Sequence, residues 1–383
     1  MKIGIIVDEF FNGGFQRVAY EEAISFKQEK QDVEMIILRR TNSNSAEEYI
    51  KEMSSIGIKI KYVSDYIPKI LNFSFEFPLF AFFSFFHLSY FFLMKLYFKE
   101  RYDFIIVHGT YTSLSCIPYA KKNSIKIANF IHDPIEYIFE QKYKSNSFII
   151  YFFKLLSVFA HILDKYIIKN SNFVIVFPEM EKYLKNKHNI KGAHFLSIFN
   201  GVTIPNKAYK KKNYAIAITK WDQGKNYNFL ISLWKKYEIN INLIIVGRWV
   251  NINEKTRFIN SIKNAHLNHK IKVLGEVSAA KLNKLYSQAL FLVHPCREAF
   301  GMTILEAAAN KTTSILTDNS GVASVIHNEA CIIVKENSLI DYGQAINKLL
   351  NHPPLAIIMG ERGYEIAKKY SWKKHNELII NYY

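Results

Sequence analysis

The stretch from Ala289 to Ala309, ALFLVHPCREAFGMTILEAAA, constrains the fold more than any other part of the chain. It opens as a short apolar run, Ala289 to Val293, of the kind that makes a buried parallel strand. It breaks at Pro295 and resumes with helical spacing at Met302, Ile304, Leu305 and Ala308. That is a strand, a tight loop and a helix. Glu298 lies in the loop, Glu306 lies in the helix and Gly301 marks the join. A helix start offers unpaired backbone N–H groups and a partial positive charge of about half an electron, which suits a phosphate, and Gly301 lets it approach closely. The flanking glutamates would repel that phosphate, so their natural partners are neutral hydroxyls on either side of it. A nucleotide sugar has this layout: ribose hydroxyls, diphosphate, sugar hydroxyls.

The same alternation of apolar run and helical pattern recurs along the chain. Strands are predicted at 2–7, 33–38, 58–63, 104–108, 125–131 and 173–177, and again at 214–219, 243–246 and 271–274. At 383 residues the chain exceeds the usual ceiling for one core, so two domains are expected. The polar run Lys207 to Lys212 predicts a linker, with one domain over 1–205, a second over 206–370, and a terminal segment 371–383.

Composition narrows the function classes. The formal net charge is +17, of which residues 1–205 carry +5 and residues 206–383 carry +12. A charge spread in this way predicts a solvated basic surface rather than a nucleic-acid groove. Cys116, Cys296 and Cys331 form no CxxC pair, and they read as buried thiols in a reducing cytosol. The start, MKIGIIVDEFFNGG, reads as a strand rather than a cleavable signal peptide. Between Leu71 and Tyr102 stand 11 phenylalanines, and Pro78 to Met94 is 17 residues without a formal charge. The strands predicted on either side belong in one sheet, which argues against a crossing of the bilayer. The expectation is a helix with one face on the sheet and aromatic residues on another touching a membrane surface. Cytoplasmic localisation, peripheral on the membrane, follows.

Glu298 and Glu306 have the E-x7-E spacing that resembles retaining glycosyltransferases of family 4, group 1 enzymes of the GT-B fold. The segment from Ile271 to Ala309 is similar to that family throughout. NGGFQRVAYEEA, from Asn12, resembles the family's first loop, and KWDQGKNYNFLISLW, from Lys220, resembles its donor loop. The strand ending at His132-Asp133 is similar to the family's as well, and SIFNGV to its linker turn. The resemblance implies two Rossmann-like domains facing across a cleft, with the C-terminal helix crossing back to the first domain. It further implies that Glu298 holds the sugar's hydroxyls, Glu306 the ribose, and Lys220 with Lys225 the diphosphate. Phe300, Gly301 and Met302 line the donor between the two glutamates, while His132 and the Gly14 loop complete the site. Lysine at position 220 replaces the family's arginine and with it the bidentate fork. Cys296, Ala299 and Ser324 are further departures.

The implied reaction moves a hexose from a nucleotide diphosphate sugar to a hydroxyl of a lipid-linked oligosaccharide, glycolipid or polysaccharide precursor, with retention of configuration. Neither G-x-G-x-x-G nor GxxxxGK[ST] occurs, which disfavours dinucleotide and P-loop chemistry. D-x-D is also missing, so the phosphate charge falls to Lys220, Lys225 and helix N–H groups, and no metal is expected. A sugar-nucleotide epimerase of similar fold and a non-enzymatic lipid- or nucleic-acid-binding protein on a transferase scaffold are the alternatives. Nucleic acid is not the expected partner.

Overall fold

The computed structural model describes residues 1–10, 13–40, 44–66, 101–134, 136, 147–190, 192–207, 209–298 and 300–383. Residues 71–100, with the expected membrane contact, lie outside the described residues. The chain divides into two compact units, Met1–Phe199 with Trp372–Tyr383, and Asn200–Ser371.

The first unit runs β1 (Lys2–Glu9), α1 (Gly14–Gln28), β2 (Asp32–Arg39), α2 (Asn44–Ser55), β3 (Lys59–Tyr62) and β4 (Phe104–His108). It continues through α3 (Thr110–Lys122), β5 (Lys126–Phe130), α4 (Ser147–Asn170), β6 (Phe173–Val176), α5 (Pro178–His188) and β7 (Phe195–Ser197). Among the described residues, seven parallel strands pair in the order β3-β2-β1-β4-β5-β6-β7. Helices cover a parallel sheet on its faces, so its strands are apolar on both sides. Ile3, Ile5, Ile6 and Val7 of β1 are all fully buried, as this arrangement requires. The C-terminal helix, Trp372–Tyr382, packs in this unit: Asn376 Nδ2 donates to the Glu22 carbonyl at 3.1 Å, and Ile379 is fully buried.

The second unit holds β8 (Tyr214–Ile218), α6 (Tyr227–Lys236), β9 (Asn242–Val246), α7 (Ile252–Asn264), β10 (Ile271–Gly275), α8 (Ala279–Gln288) and β11 (Phe291–His294). After these come α9 (Met302–Ala309), β12 (Thr313–Thr317), β13 (Cys331–Val334), α10 (Leu339–Asn351) and α11 (Pro353–Ala367). Six described strands, all parallel, pair in the order β10-β9-β8-β11-β12-β13. The strand expected from Ala289 begins at Phe291 instead, because the Ala289 N–H still bonds the Leu285 and Tyr286 carbonyls and closes α8.

In both sheets the strand order reverses once, between β1 and β4 and between β8 and β11. Connections leave in opposite directions at such a point and open a crevice at the carboxyl ends of the two strands, where ligands of doubly wound sheets bind. One glycine is structurally dictated there. Gly247, just past β9, has φ +124°, and a Cβ would come 1.9 Å from the Thr219 carbonyl oxygen at the end of β8. Only glycine lets the two chains pass.

Candidate functional site

At the second unit's switch point, β8 delivers Thr219 and Lys220, and β11 delivers His294, Cys296 and Glu298. Beyond β8 the Asp222 carboxylate accepts from the Gly224 N–H at 2.9 Å. This Asx-type turn curls Gln223–Lys225 into a short 3-10 turn that brings Lys225 back over the strand ends. Lys225 Nζ lies 2.7 Å from Glu298 Oε1, Thr219 Oγ1 donates to the same oxygen at 3.2 Å, and His294 Nε2 approaches it to 3.6 Å. Burial pushes the Glu298 carboxyl up, but Lys225 and His294 outweigh it and hold the group well below the usual carboxylate range. For Lys225, burial works against the ammonium, and Glu298 beside it more than compensates, so its pKa is raised. Burial likewise opposes the His294 cation, yet the Cys296 sulfur and Glu298 bring its pKa up to about 10. The strand ends therefore present a compact cluster of fixed charge, with side-chain exposures of 20% at Lys225 and 24% at Glu298.

The loop that follows is pinned by its backbone. The Gly321 N–H bonds the Glu298 carbonyl at 3.1 Å, and the Val322 N–H bonds the Phe300 carbonyl at 2.6 Å. Gly301, at φ +102°, turns the chain into α9, a conformation that a side chain would strain. A Cβ there would also meet Val322 at 3.0 Å. No side chain caps α9, and its Ile304 and Leu305 N–H groups bond the Gly301 carbonyl at 3.0 and 3.3 Å. The Thr303 hydroxyl, in the first turn, is buried with no hydrogen-bond partner among the described residues. Phe300 is buried and Met302 is half-buried. Glu306 Oε2 accepts from the Tyr286 hydroxyl at 3.0 Å, which fixes it from α8. Lys220 is exposed at the end of β8.

Reading from the sequence missed Thr219, His294, Tyr286 and Thr303. His294 had a visible signal, a polar residue ending an apolar strand four positions before Glu298. Nothing marked Tyr286, which reaches Glu306 only through the packing of α8 on α9. The spacing also hid a ligand set, for the donor atoms of His294, Cys296 and Glu298 all lie within 4.8 Å of one another. They could hold a metal ion, although Lys225 already bonds the same Glu298 oxygen with a positive charge.

In the first unit, His132 follows β5 with its ring stacked on Phe130 at 4.0 Å, and Phe15 of α1 lies 5.8 Å away. The loop entering α1 and His132 thus share one end of the sheet. Gly14 is exposed, a Cβ there would meet nothing within 4 Å, and Gly13 is in the extended region at φ −127°. Sterics at Gly14 do not demand glycine. Behind His132 runs a buried chain of polar groups: His132 Nε2 is 3.1 Å from His108 Nδ1, and His108 Nε2 is 2.8 Å from Glu22 Oε2. The chain ends as Glu22 Oε1 meets His375 Nε2 at 2.8 Å and His375 Nδ1 meets the Phe199 carbonyl at 2.8 Å. Burial raises the Glu22 carboxyl, but His108 and His375 overcome it and bring its pKa down to about 2. For His132, burial and the neighbouring His108 push the pKa well below the ordinary value, so the ring is neutral.

Residues 203–366 match the family Glycosyl transferases group 1. An uncharacterized glycosyltransferase of Methanocaldococcus jannaschii is 28% identical over 286 residues, 72% of this chain and 73% of that protein. Among solved structures, sucrose-phosphate synthase from Thermosynechococcus elongatus superposes with a TM-score of 0.78 at 16% identity, covering 99% of this chain and 97% of its own. Anabaena HepE, solved in complex with UDP and glucose, gives 0.75 at 13% identity, covering 100% and 98%. Residues 203–366 are therefore a group 1 glycosyltransferase domain, the second of two Rossmann-like domains in a chain of GT-B fold.

Proposed function

We propose that this chain is a retaining, family 4 type glycosyltransferase that moves a hexose from a nucleotide diphosphate sugar to a hydroxyl acceptor, without a required metal. One observation carries the reading: Lys225 and Glu298 meet at 2.7 Å at the switch point of the second sheet, directly before the glycine-started helix α9. The ammonium and the α9 N–H groups, with the Thr303 hydroxyl, suit a leaving diphosphate. Glu298, kept ionised, is an acceptor for the sugar's hydroxyls, and Glu306, steadied by Tyr286, for those of the ribose. Lys220 adds a second positive charge beside the phosphates. Phe300, Gly301 and Met302 complete the donor-binding loop.

His132 and the Gly14 loop are assigned to the first unit's share of the reaction. Glu22 can only accept, so His108 donates to it through Nε2. The contact between His108 Nδ1 and His132 Nε2 fixes the His132 ring, its direction set by the tautomers. The ring's Nδ1 is the nitrogen assigned to hydrogen-bond a hydroxyl. In the transfer, the bond from the anomeric carbon to the phosphate oxygen breaks and the bond to the acceptor oxygen forms on the same face. The acceptor's proton passes to the leaving phosphate. The electrostatic contacts are of the preorganised kind that supply most of such an acceleration.

A lipid-linked or glycolipid acceptor met at the cytoplasmic membrane face belongs to this proposal. Val158, Phe159, Ile162 and Tyr166 stand exposed on α4 at the spacing of one helical face. Among the described residues, no helix is long and apolar enough to cross a membrane. The test screens nucleotide sugars, UDP-sugars first, by thermal stabilisation, then supplies the best donor with lipid extracts and reads the product's anomeric configuration by NMR. Transfer with retention is expected. An inverted product, or a donor sugar altered without any acceptor, overturns the reading. Liposome flotation tests the membrane arm, and protein left wholly in the soluble fraction removes it.

A further inference from the structure

We propose that Glu136, His161 and His188 of the first unit form a binding site for a divalent transition-metal ion, Zn2+ by its ligand chemistry. The three come from separate pieces of chain. Glu136 lies beyond β5, His161 is in the middle of α4, and His188 is the last residue of α5. Their donor atoms nevertheless lie within 4.8 Å of one another. Four-coordinate zinc with bonds of about 2.0–2.1 Å needs ligand atoms roughly 3.3 Å apart, so small side-chain rotations close the set.

His188 is the residue that calls for a ligand. It is 2% exposed, and neither ring nitrogen has a hydrogen-bond partner among the described residues. A buried imidazole left unpaired costs free energy, and native interiors rarely tolerate it. Its ring lies 4.3 Å from that of His161, whose Nδ1 is 2.9 Å from Glu136 Oε2. The Glu136 backbone N–H is held in turn by the buried Asp164 carboxylate at 3.1 Å, so the ligand's own position is fixed from α4.

The neighbouring charges help select the ion. Lys187 Nζ sits 3.3 Å from the other Glu136 oxygen with 36% of its side chain exposed, and it can swing into solvent as a metal enters. A hard cation such as Ca2+ or Mg2+ prefers an all-oxygen shell, whereas two imidazoles and one carboxylate suit zinc. Three protein ligands leave a fourth position for water. On binding, the Nδ1 proton of the His161 ring moves to Nε2 through solvent exchange, which frees the Nδ1 lone pair for the metal. The ion would tie the segment just beyond His132 to α4 and α5.

The experiment titrates metal-free, full-length protein with Zn2+ by calorimetry, and with Co2+ by absorption. The expected result is a single equivalent of Zn2+ bound, a higher thermal midpoint, and Co2+ d–d bands without thiolate charge transfer. His161→Ala and His188→Ala should each weaken Zn2+ binding by roughly 100-fold or more. Cys296→Ser, at the other cluster of possible ligands, should leave it unchanged. Wild-type affinity no greater than that of His161→Ala overturns the proposal. A thiolate band that disappears in Cys296→Ser overturns it equally. The partly exposed His161 keeps the test decisive if His188→Ala fails to fold.

Discussion

At the second sheet's switch point, Lys225 and Glu298 pair with a fifth to a quarter of each side chain open to solvent. At the first sheet's, His108 and Glu22 pair with none exposed. Apart from the extra strand β7 the strand order is the same, and so is the device of a carboxylate set against cationic or imidazole partners. The difference is access. An ion pair at a crevice mouth can exchange its partner for a ligand, whereas a hydrogen-bonded pair sealed in the interior holds elements and side chains in place. The first unit uses its pair to join α1 and the strand carrying His108 to the C-terminal helix through His375. The second keeps its pair poised beside an uncapped helix start. A shared fold therefore fixes where charge gathers, and depth decides whether that charge serves packing or binding.

The comparison breaks first at Glu22. Glu22→Ala leaves two buried histidines facing no carboxylate, and it should cost about 3–5 kcal/mol, the scale of uncoupling one partner of a buried pair. Chemical denaturation measures this, and a wild-type midpoint would show that the network is not holding the terminal helix. Acid should expose the same residue. Its folded pKa of about 2 lies below the ordinary 4.5. The stability it contributes is therefore complete above pH about 4.5 and is lost as pH falls toward about 2, a change on the order of a few kcal/mol. Denaturation curves across that window should show a slope that flattens in Glu22→Gln.

The open pair should register in turnover rather than stability. Glu298→Ala and Lys225→Ala are each expected to lower turnover by about 10²-fold, read from steady-state transfer with the best donor. Near-normal rates in both would place the binding charge elsewhere. The smallest effect tests the fine positioning of Glu306. Tyr286→Phe removes one hydrogen bond worth about 1 kcal/mol, so the donor KM should rise by roughly 5-fold with little change in kcat. A fall in kcat instead would tie Tyr286 to the chemistry.

Much of this was legible in the chain. Apolar runs interleaved with helical periodicity specify parallel sheets, since only strands buried on both faces lack a polar alternation. Glu298 stood out in the loop between an apolar run and a helical pattern, and Lys225 because KWDQGKNYNFLISLW resembles the family's donor loop. The Glu22 network did not stand out. Glu22 is 86 residues from His108 and 353 from His375, and a glutamate on an amphipathic helix normally reads as solvated surface. His188 was equally silent, one polar residue closing a lysine-rich helix.

The sequence by itself determined the local elements, because periodicity, glycine and proline act over a few residues. It also determined which charged and polar residue types the loops after the strands carry. Tertiary structure alone decided which charges are sealed and which remain accessible. Burial and pairing depend on elements hundreds of residues apart meeting in space, and the free energy of a charge is set by that surrounding medium rather than by its neighbours in the chain.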